Sequence, residues 1–189
     1  MSPEWLTAIG TIGTFAVIAA SAVAALIQIR HLRSSNQIIA LTEMRETLYS
    51  PAFQAALRFL NHDFPRLLED PQNRKKLSLP GPIPPEFEQV RTVAGFFEQT
   101  GTFVKRGIID ADTFLDLWGE VVISTWHRLA PYIISARLGR GQPAMFENFE
   151  YIAALTEQFS AKHPGGTYPA NMPRLKADPW PEAQGPLRH

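Results

Sequence analysis

The sequence contains no cysteine. Cysteine thiolates form disulfides, bind structural zinc and act as nucleophiles, so these three functions are excluded for this chain. The absence also fits a reducing compartment such as the cytoplasm. The fold is therefore stabilised without disulfide cross-links.

A net charge is also lacking, because 18 Lys and Arg residues balance 18 Asp and Glu residues. Nucleic-acid-binding proteins carry clustered positive charge that neutralises phosphates. We therefore expect no nucleic-acid partner.

The usual motifs of catalytic and metal sites are missing as well. There is no phosphate-binding glycine loop ending in Lys-Ser/Thr, no His-Glu-x-x-His and no Gly-x-Ser-x-Gly. The histidines do not pair at metal-ligand spacing; they are His31, His62, His127, His163 and His189. The sequence predicts no catalytic residue, no metal site and no cofactor, and it favours a non-enzymatic protein.

Charged side chains are absent from Trp5 to Ile29, and this segment is rich in Ala, Ile, Val, Leu and Phe. A bilayer core requires about 20 apolar residues in a helix. Aromatic residues favour the membrane interface, as Trp5 does here, and Arg30 and Arg33 follow the apolar run. The pattern predicts a transmembrane helix over residues 5–29 that contacts membrane lipid, with Trp5, Arg30 and Arg33 at its interfaces.

The charges flanking this segment predict its orientation. Glu4 is the only charged side chain before it, whereas Arg30, His31 and Arg33 follow it. The positive-inside rule then puts the N-terminus outside and the remainder in the cytoplasm. Two alternatives remain open. One is a signal peptide cleaved near Ala20-Ser21-Ala22, although the basic n-region is missing and the apolar run is long. The other is a buried core helix.

Small residues recur at a spacing of four along this helix, at Ala16, Ala20 and Ala24. Such a stripe lets two membrane helices approach closely. It predicts helix association, and with it a homo-oligomer or a protein partner.

Beyond residue 29 the pattern remains helical, and the fold class expected is all-α. Residues 30–50 form a juxtamembrane helix whose apolar positions are Ile38, Leu41, Met44 and Leu48. Residues 51–163 form a helical cytoplasmic domain. Residues 164–189 are rich in proline and predict a disordered tail.

Within the domain, Ser50-Pro51 begins a helix that Pro65 limits, and residues 69–85 are read as a loop without regular structure. Helices over 87–106 and 111–130 form a central hairpin, with Gly107 as left-handed cap and Asp110 as N-cap. Pro131 breaks or kinks the second helix, a helical piece continues over 132–138, and Pro143 begins the last helix.

Three local patterns suggest interactions. The segment from Arg137 to Gln142 contains Arg140 and Gly141 before a helix start, an arrangement that predicts anion binding by Arg137, Arg140 and Gly141. His127, two turns after Glu120, is a conceivable reactive pair, although a surface histidine is the commoner explanation. Glu98, beside Phe96-Phe97, needs a buried partner, for which we expect an arginine.

Several blocks resemble the bacterial domain-of-unknown-function family 4760. They are residues 95–101 (GFFEQTG), residues 104–110 (VKRGIID), Trp126, Pro131 and residues 146–151 (FENFEY). The resemblance covers roughly residues 5–160 and implies one N-terminal membrane helix followed by a small helical domain. It implies no activity, substrate or catalytic residue.

These observations favour a membrane-anchored helical interaction or regulatory protein, single-pass in the bacterial inner (plasma) membrane with its domain in the cytoplasm. The alternative is a membrane-tethered sensing or enzymatic domain that binds an anion at the Arg137–Gln142 loop and uses His127.

Overall fold

The computed structural model describes residues 3–79 and 84–175. Within these residues the chain forms α-helices and one short 3-10 turn, Pro85–Phe87, with no β-strand, which confirms the all-α prediction. The helices are α1 (Pro3–Tyr49), α2 (Pro51–Glu69), α3 (Pro71–Ser78), α4 (Glu88–Lys105), α5 (Ala111–Arg140) and α6 (Glu147–Lys162).

Helix α1 runs without a break for 47 residues, which confirms that the apolar segment continues into the following helix. Its second half packs on the domain through Met44 and Leu48, which are buried, and Leu41, which is half-buried. Ile38, expected on the same stripe, is instead 62% exposed. It lies about 60° around the helix from Leu41, at about 100° per residue, and so falls outside the buried face.

The helix starts follow the local chemistry expected of them. The Ser50 hydroxyl accepts a hydrogen bond from the Phe53 amide at 3.2 Å, and Asp110 accepts one from the Thr113 amide at 2.9 Å. Each cap satisfies a backbone donor that the first turn leaves without a partner. These contacts span three residues, so the sequence alone predicts them.

The turn between α4 and α5 also has the expected form. Gly107 adopts a φ of 66°, and its amide donates to the Val104 carbonyl at 3.0 Å. The Ile108 amide donates to the Phe103 carbonyl at 3.0 Å. This pair of bonds closes a Schellman cap, in which a glycine takes the left-handed position without a Cβ clash.

The expectation of an irregular loop over residues 69–85 is wrong for residues 71–78, which form α3, while residues 80–83 lie outside the described residues. Asp70 accepts a hydrogen bond from the Gln72 amide at 2.8 Å, and Pro71 occupies the first helical position. Leu77 is buried, and α3 packs against α5. Tertiary packing thus stabilises a helix too short and polar to form alone.

Neither proline ends its helix, although Pro65 was expected to limit α2 and Pro131 to break or kink α5. Helix α2 continues past Pro65 to Glu69, and α5 continues past Pro131 to Arg140. The residues next to these prolines, Phe64 and Tyr132, are buried. Core packing therefore offsets the loss of one backbone hydrogen bond at each proline.

The last helix begins at Glu147 and not at Pro143. Gly141, at a φ of 62°, ends α5 in the left-handed conformation. Residues 142–146 then form turns, in which the Met145 amide donates to the Gln142 carbonyl at 3.1 Å. The segment is needed to reverse the chain between two helices that pack together.

Helix α4 lies between α2 and α6 in the core. Its Phe97 stacks on Phe149 of α6 with ring centroids 4.9 Å apart, and Phe53 of α2 meets Phe97 edge-on at 6.4 Å. The α4–α5 pair is joined by the expected short turn, but α4 makes its main contacts with α6. The two helices of the expected central hairpin therefore pack against each other and, more extensively, against α6.

Residues 164–175 follow α6 without helix or strand and contact the domain beside α5. The Thr167 hydroxyl donates a hydrogen bond to the Asp116 carboxylate. Arg174 lies over the Tyr168 ring, 4.5 Å from its centroid. Residues 176–189, including Trp180, lie outside the described residues, so disorder of the tail stays a prediction.

The closest approach of α4 and α6 predicts opposite effects for two glycines of α4. A Cβ built on Gly101 would lie 2.1 Å from the Asn148 carbonyl oxygen, whereas one on Gly95 meets nothing within 4 Å. We expect Gly101→Ala to destabilise the protein by about 3 kcal/mol through overpacking. Gly95→Ala should stabilise it by about 0.5–1 kcal/mol through helix propensity.

Urea unfolding of the detergent-solubilised full chain, followed by the helical circular dichroism signal, measures both effects. Equal stabilities of the two variants would contradict the close approach at Gly101.

Candidate functional site

The predicted anion-binding residues lie at the junction of α5 and α6. Arg137 and Arg140 occupy the last turn of α5, and Gly141 caps it. The Gln142 amide donates to the Arg137 carbonyl at 3.1 Å, which fixes the backbone of the turn. The structure therefore places the three residues next to one another, as their sequence positions require.

The Arg137 side chain is largely occupied by protein groups. Its Nε donates to the Met145 carbonyl at 2.8 Å, and its Nη1 lies 2.7 Å from the Glu150 carboxylate. The side chain is 16% exposed, so these contacts lie in a partly dry environment where charge-assisted bonds are strong. Arg137 thus ties the end of α5 to the start of α6.

The N-terminus of α6 already holds a carboxylate, that of Glu98 from α4. One oxygen of Glu98 accepts hydrogen bonds from the amides of Asn148 and Phe149 at 3.0 and 2.9 Å. The other accepts one from the Asn148 side chain at 2.7 Å. The partner expected for Glu98 was an arginine, but helix amides neutralise its charge instead.

Lys105, at the end of α4, reaches the same junction. Its ammonium lies 3.2 Å from Glu147 and 3.0 Å from the Asn148 side-chain oxygen. Because Lys105 and Glu147 are both about half exposed, this pair contributes little to stability. Its role is geometric, since it bridges α4 and α6 at their crossing.

Three polar atoms near the end of α5 are buried without a hydrogen-bond partner within the described residues. They are the Arg137 Nη2, the Arg140 Nε and the Tyr132 hydroxyl. Burial raises the pKa of Tyr132, and the nearby Arg140 charge opposes that rise. Buried donors without partners are costly, which distinguishes these three groups from the other polar groups of the junction.

His127 lies apart from these three groups. Its Nε2 lies 3.8 Å from Glu157 of α6, and both side chains are 65% exposed. It precedes Arg137 by ten residues of helix, or about 15 Å at about 1.5 Å per residue. Glu120 instead lines a separate groove, so the pairing of Glu120 with His127 is not formed.

That groove runs between α5 and α6 and has a volume of about 330 Å³. Asp116, Glu120 and His163 contribute to its lining. Within the described part of the chain, no group of three His, Asp or Glu side chains is arranged to hold a metal ion.

The first half of α1 is the second feature that bears on function. From Ile12 onward this helix is long and apolar enough to cross a membrane, with a mean hydropathy of 2.1 over its most apolar window and none of that window buried. Ala16, Ala20 and Ala24 are exposed on it, as is Arg30. The side chains of Trp5 and Arg33 are not among those that the structure describes, so their place at the membrane interfaces stays a prediction.

Over residues 3–79 and 84–175 these features define an all-α protein with one helix apolar enough to span a membrane and a domain packed on the continuation of that helix. A family profile described as a domain of unknown function, DUF4760, matches residues 15–155. The chain belongs to this family. No curated protein and no solved structure matches the sequence of this chain.

The capping of α6 by Glu98 is among the interactions of the site that sequence reasoning missed. The available signal was a carboxylate next to Phe96-Phe97 on an apolar helix face, which indicates a buried acceptor. What the sequence did not contain was the identity of the donor, because Asn148 lies 50 residues away.

Proposed function

We propose that this protein is a single-pass membrane-anchored interaction or regulatory module of the bacterial inner membrane. Its N-terminus faces outward and its helical domain lies in the cytoplasm. The observation that carries the proposal is the exposure of the apolar half of α1, where Phe15 and Ile12 are each 70% exposed. So large an apolar surface requires a lipid environment or a partner.

The continuity of α1 supports an anchor over the two alternatives. A core helix of a soluble protein is buried, whereas the apolar window of α1 is not. A signal peptide is removed from the mature chain, whereas the apolar turns here run directly into turns that pack on the domain through Met44 and Leu48.

The anchor and its orientation are tested by single-cysteine labelling, for which the cysteine-free chain is well suited. We expect the protein in the membrane fraction at its full-length mass. A membrane-impermeant maleimide applied to intact spheroplasts should label Ser2→Cys at the N-terminus. It should label the exposed Leu138→Cys on the domain only after the membrane is disrupted.

Labelling in the reverse order would contradict the orientation. A mature chain that begins after Ala22 would instead identify a cleaved signal peptide.

The interaction role rests on the face that carries Ala16, Ala20 and Ala24. These small side chains are exposed, and their spacing permits close helix–helix approach in a membrane. Regulatory or assembly function would then operate through self-association or through the membrane helix of another protein.

A matched pair of alanines tests this association. Ala20 lies on the stripe, whereas Ala22 lies about 200° around the helix, on the opposite side, at about 100° per residue. We expect Ala20→Leu to reduce dimerisation in a membrane two-hybrid assay by about tenfold, equivalent to a packing loss of about 1.4 kcal/mol. Ala22→Leu should leave it unchanged, and equal effects of the two variants would exclude this face.

A second candidate function is anion sensing at the Arg137–Gln142 loop. The Arg140 Nε and the Arg137 Nη2, buried without hydrogen-bond partners in the described part of the chain, favour it. The α6 amides are not available for such a ligand because Glu98 occupies them. The ligand would therefore be bound by guanidinium groups, with Gly141 giving access, and not by the helix dipole.

Thermal unfolding of the detergent-solubilised chain with added inorganic phosphate or ATP tests this candidate. Binding at 100 times Kd would stabilise the protein by about 2.7 kcal/mol, and Arg140→Ala should abolish that shift. Arg58→Ala, which removes an exposed arginine of α2, is the control and should retain it. The absence of a shift in the unaltered chain would exclude these two ligands.

A further inference from the structure

The turn between α4 and α5, defined here as residues 106–110, lies at the end of the domain nearest the apolar half of α1. A cavity of about 680 Å³ has Asn36 and Gln37 of α1 on one side. The residues of this turn line the other side, from Arg106 to Asp110. Measured along the axis of α1, the turn therefore lies at the height of Asn36 and Gln37, only a few residues after Arg30 and Arg33.

A second cavity fixes the direction of α4 relative to α1. This space of about 130 Å³ includes Ala40 and Thr47 of α1 together with Phe96 and Phe103 of α4. The later residues of α1 thus face earlier residues of α4, while Gln37 faces the α4 C-terminus. Because the two helices run in opposite directions, the C-terminus of α4 lies at the end of the domain that is nearest the apolar half of α1.

The rise of an α-helix gives the distance along α1 between the turn and the end of the apolar segment. Gln37 follows Arg30 by seven residues, or about 10 Å at about 1.5 Å per residue. The headgroup layer adds about 5–8 Å beyond the hydrocarbon core on each side of a bilayer. Any tilt of α1 shortens the distance further. Side chains that project from the turn towards the apolar segment are thus within reach of lipid headgroups.

The turn presents an exposed aliphatic side chain at this level. Ile108 is 47% exposed, whereas the next residue, Ile109, is fully buried and attaches the turn to the core. Gly107 and its Schellman hydrogen bonds fix the backbone before it. The exposed isoleucine is therefore held in place by rigid neighbours.

The charges around Ile108 indicate which lipid group the turn fits. Arg106 is exposed and forms no ion pair with a described residue, whereas Lys105 is engaged by Glu147. The Asp110 carboxylate is used by the Thr113 amide and hydroxyl, and Asp112 is exposed in the first turn of α5. One free guanidinium with acidic neighbours suits a single lipid phosphate better than a strongly anionic surface.

We propose that the α4–α5 turn is a second membrane contact, in which Ile108 enters the headgroup region and Arg106 binds a lipid phosphate. This contact would hold the domain against the bilayer and set its rotation around α1. The inference rests on the proposed membrane span, and it adds a lipid-binding surface on the cytoplasmic domain itself.

The absence of native cysteine allows a direct depth measurement. The full-length Ile108→Cys variant, labelled with an environment-sensitive fluorophore, is reconstituted in phosphatidylcholine vesicles that contain a headgroup-attached nitroxide lipid. The matched control is Leu138→Cys, another exposed aliphatic position, 80% exposed on α5. It lies about 40 Å along that helix from Ala111, at about 1.5 Å per residue.

We expect the headgroup nitroxide to quench most of the fluorescence at position 108 and none at position 138. Arg106→Cys, labelled in the same way, supplies a second position on the turn if Ile108→Cys does not reconstitute. Quenching at neither turn position, or equal quenching at position 138, would overturn the proposal.

A third position separates this proposal from the membrane span on which it rests. Leu26 is 62% exposed on the apolar half of α1, and Leu26→Cys should be quenched by a nitroxide on the lipid acyl chain. Quenching at position 26 without quenching on the turn would overturn only the second contact. Absence of quenching at position 26 would overturn the span and the contact together.

Discussion

The packing of Met44 and Leu48 against the domain is the interaction on which the remaining arrangement depends. These side chains belong to the same unbroken helix as the exposed apolar segment. A helix transmits direction because its backbone hydrogen bonds resist bending without a proline or a bulge. The domain therefore has a defined orientation relative to the apolar segment, and each surface of the domain lies at a fixed distance from that segment.

Within the domain, the crossing of α4 and α6 determines which polar groups remain available. Gly101 lets the backbones approach, and Glu98 can then satisfy the amides of Asn148 and Phe149. A helix N-terminus attracts an anion, and here the chain supplies the anion itself. The strongest element for recognising an anion at the α5–α6 junction, the free amides of α6, is therefore already occupied by Glu98.

Features that depend on contacts within a few residues were predictable. The caps at Ser50 and Asp110 and the left-handed Gly107 follow from side chains adjacent to the backbone groups that they satisfy. The irregular loop expected over residues 69–85 was wrong at residues 71–78, because the proline content of the segment was given more weight than the cap formed by Asp70. The stabilising contact of α3 is the burial of Leu77 against α5, which no local pattern contains.

The sequence by itself determined the helical class, the apolar segment and its basic flank, because periodicity and charge are properties of neighbouring residues. Only the tertiary structure decided that Glu98 binds helix amides, that Ile38 faces outward and that the α4–α5 turn lies level with Gln37. Each of these depends on how helices far apart in the sequence cross. The crossing is set by the fit of many side chains at once, so it cannot be obtained from any one segment.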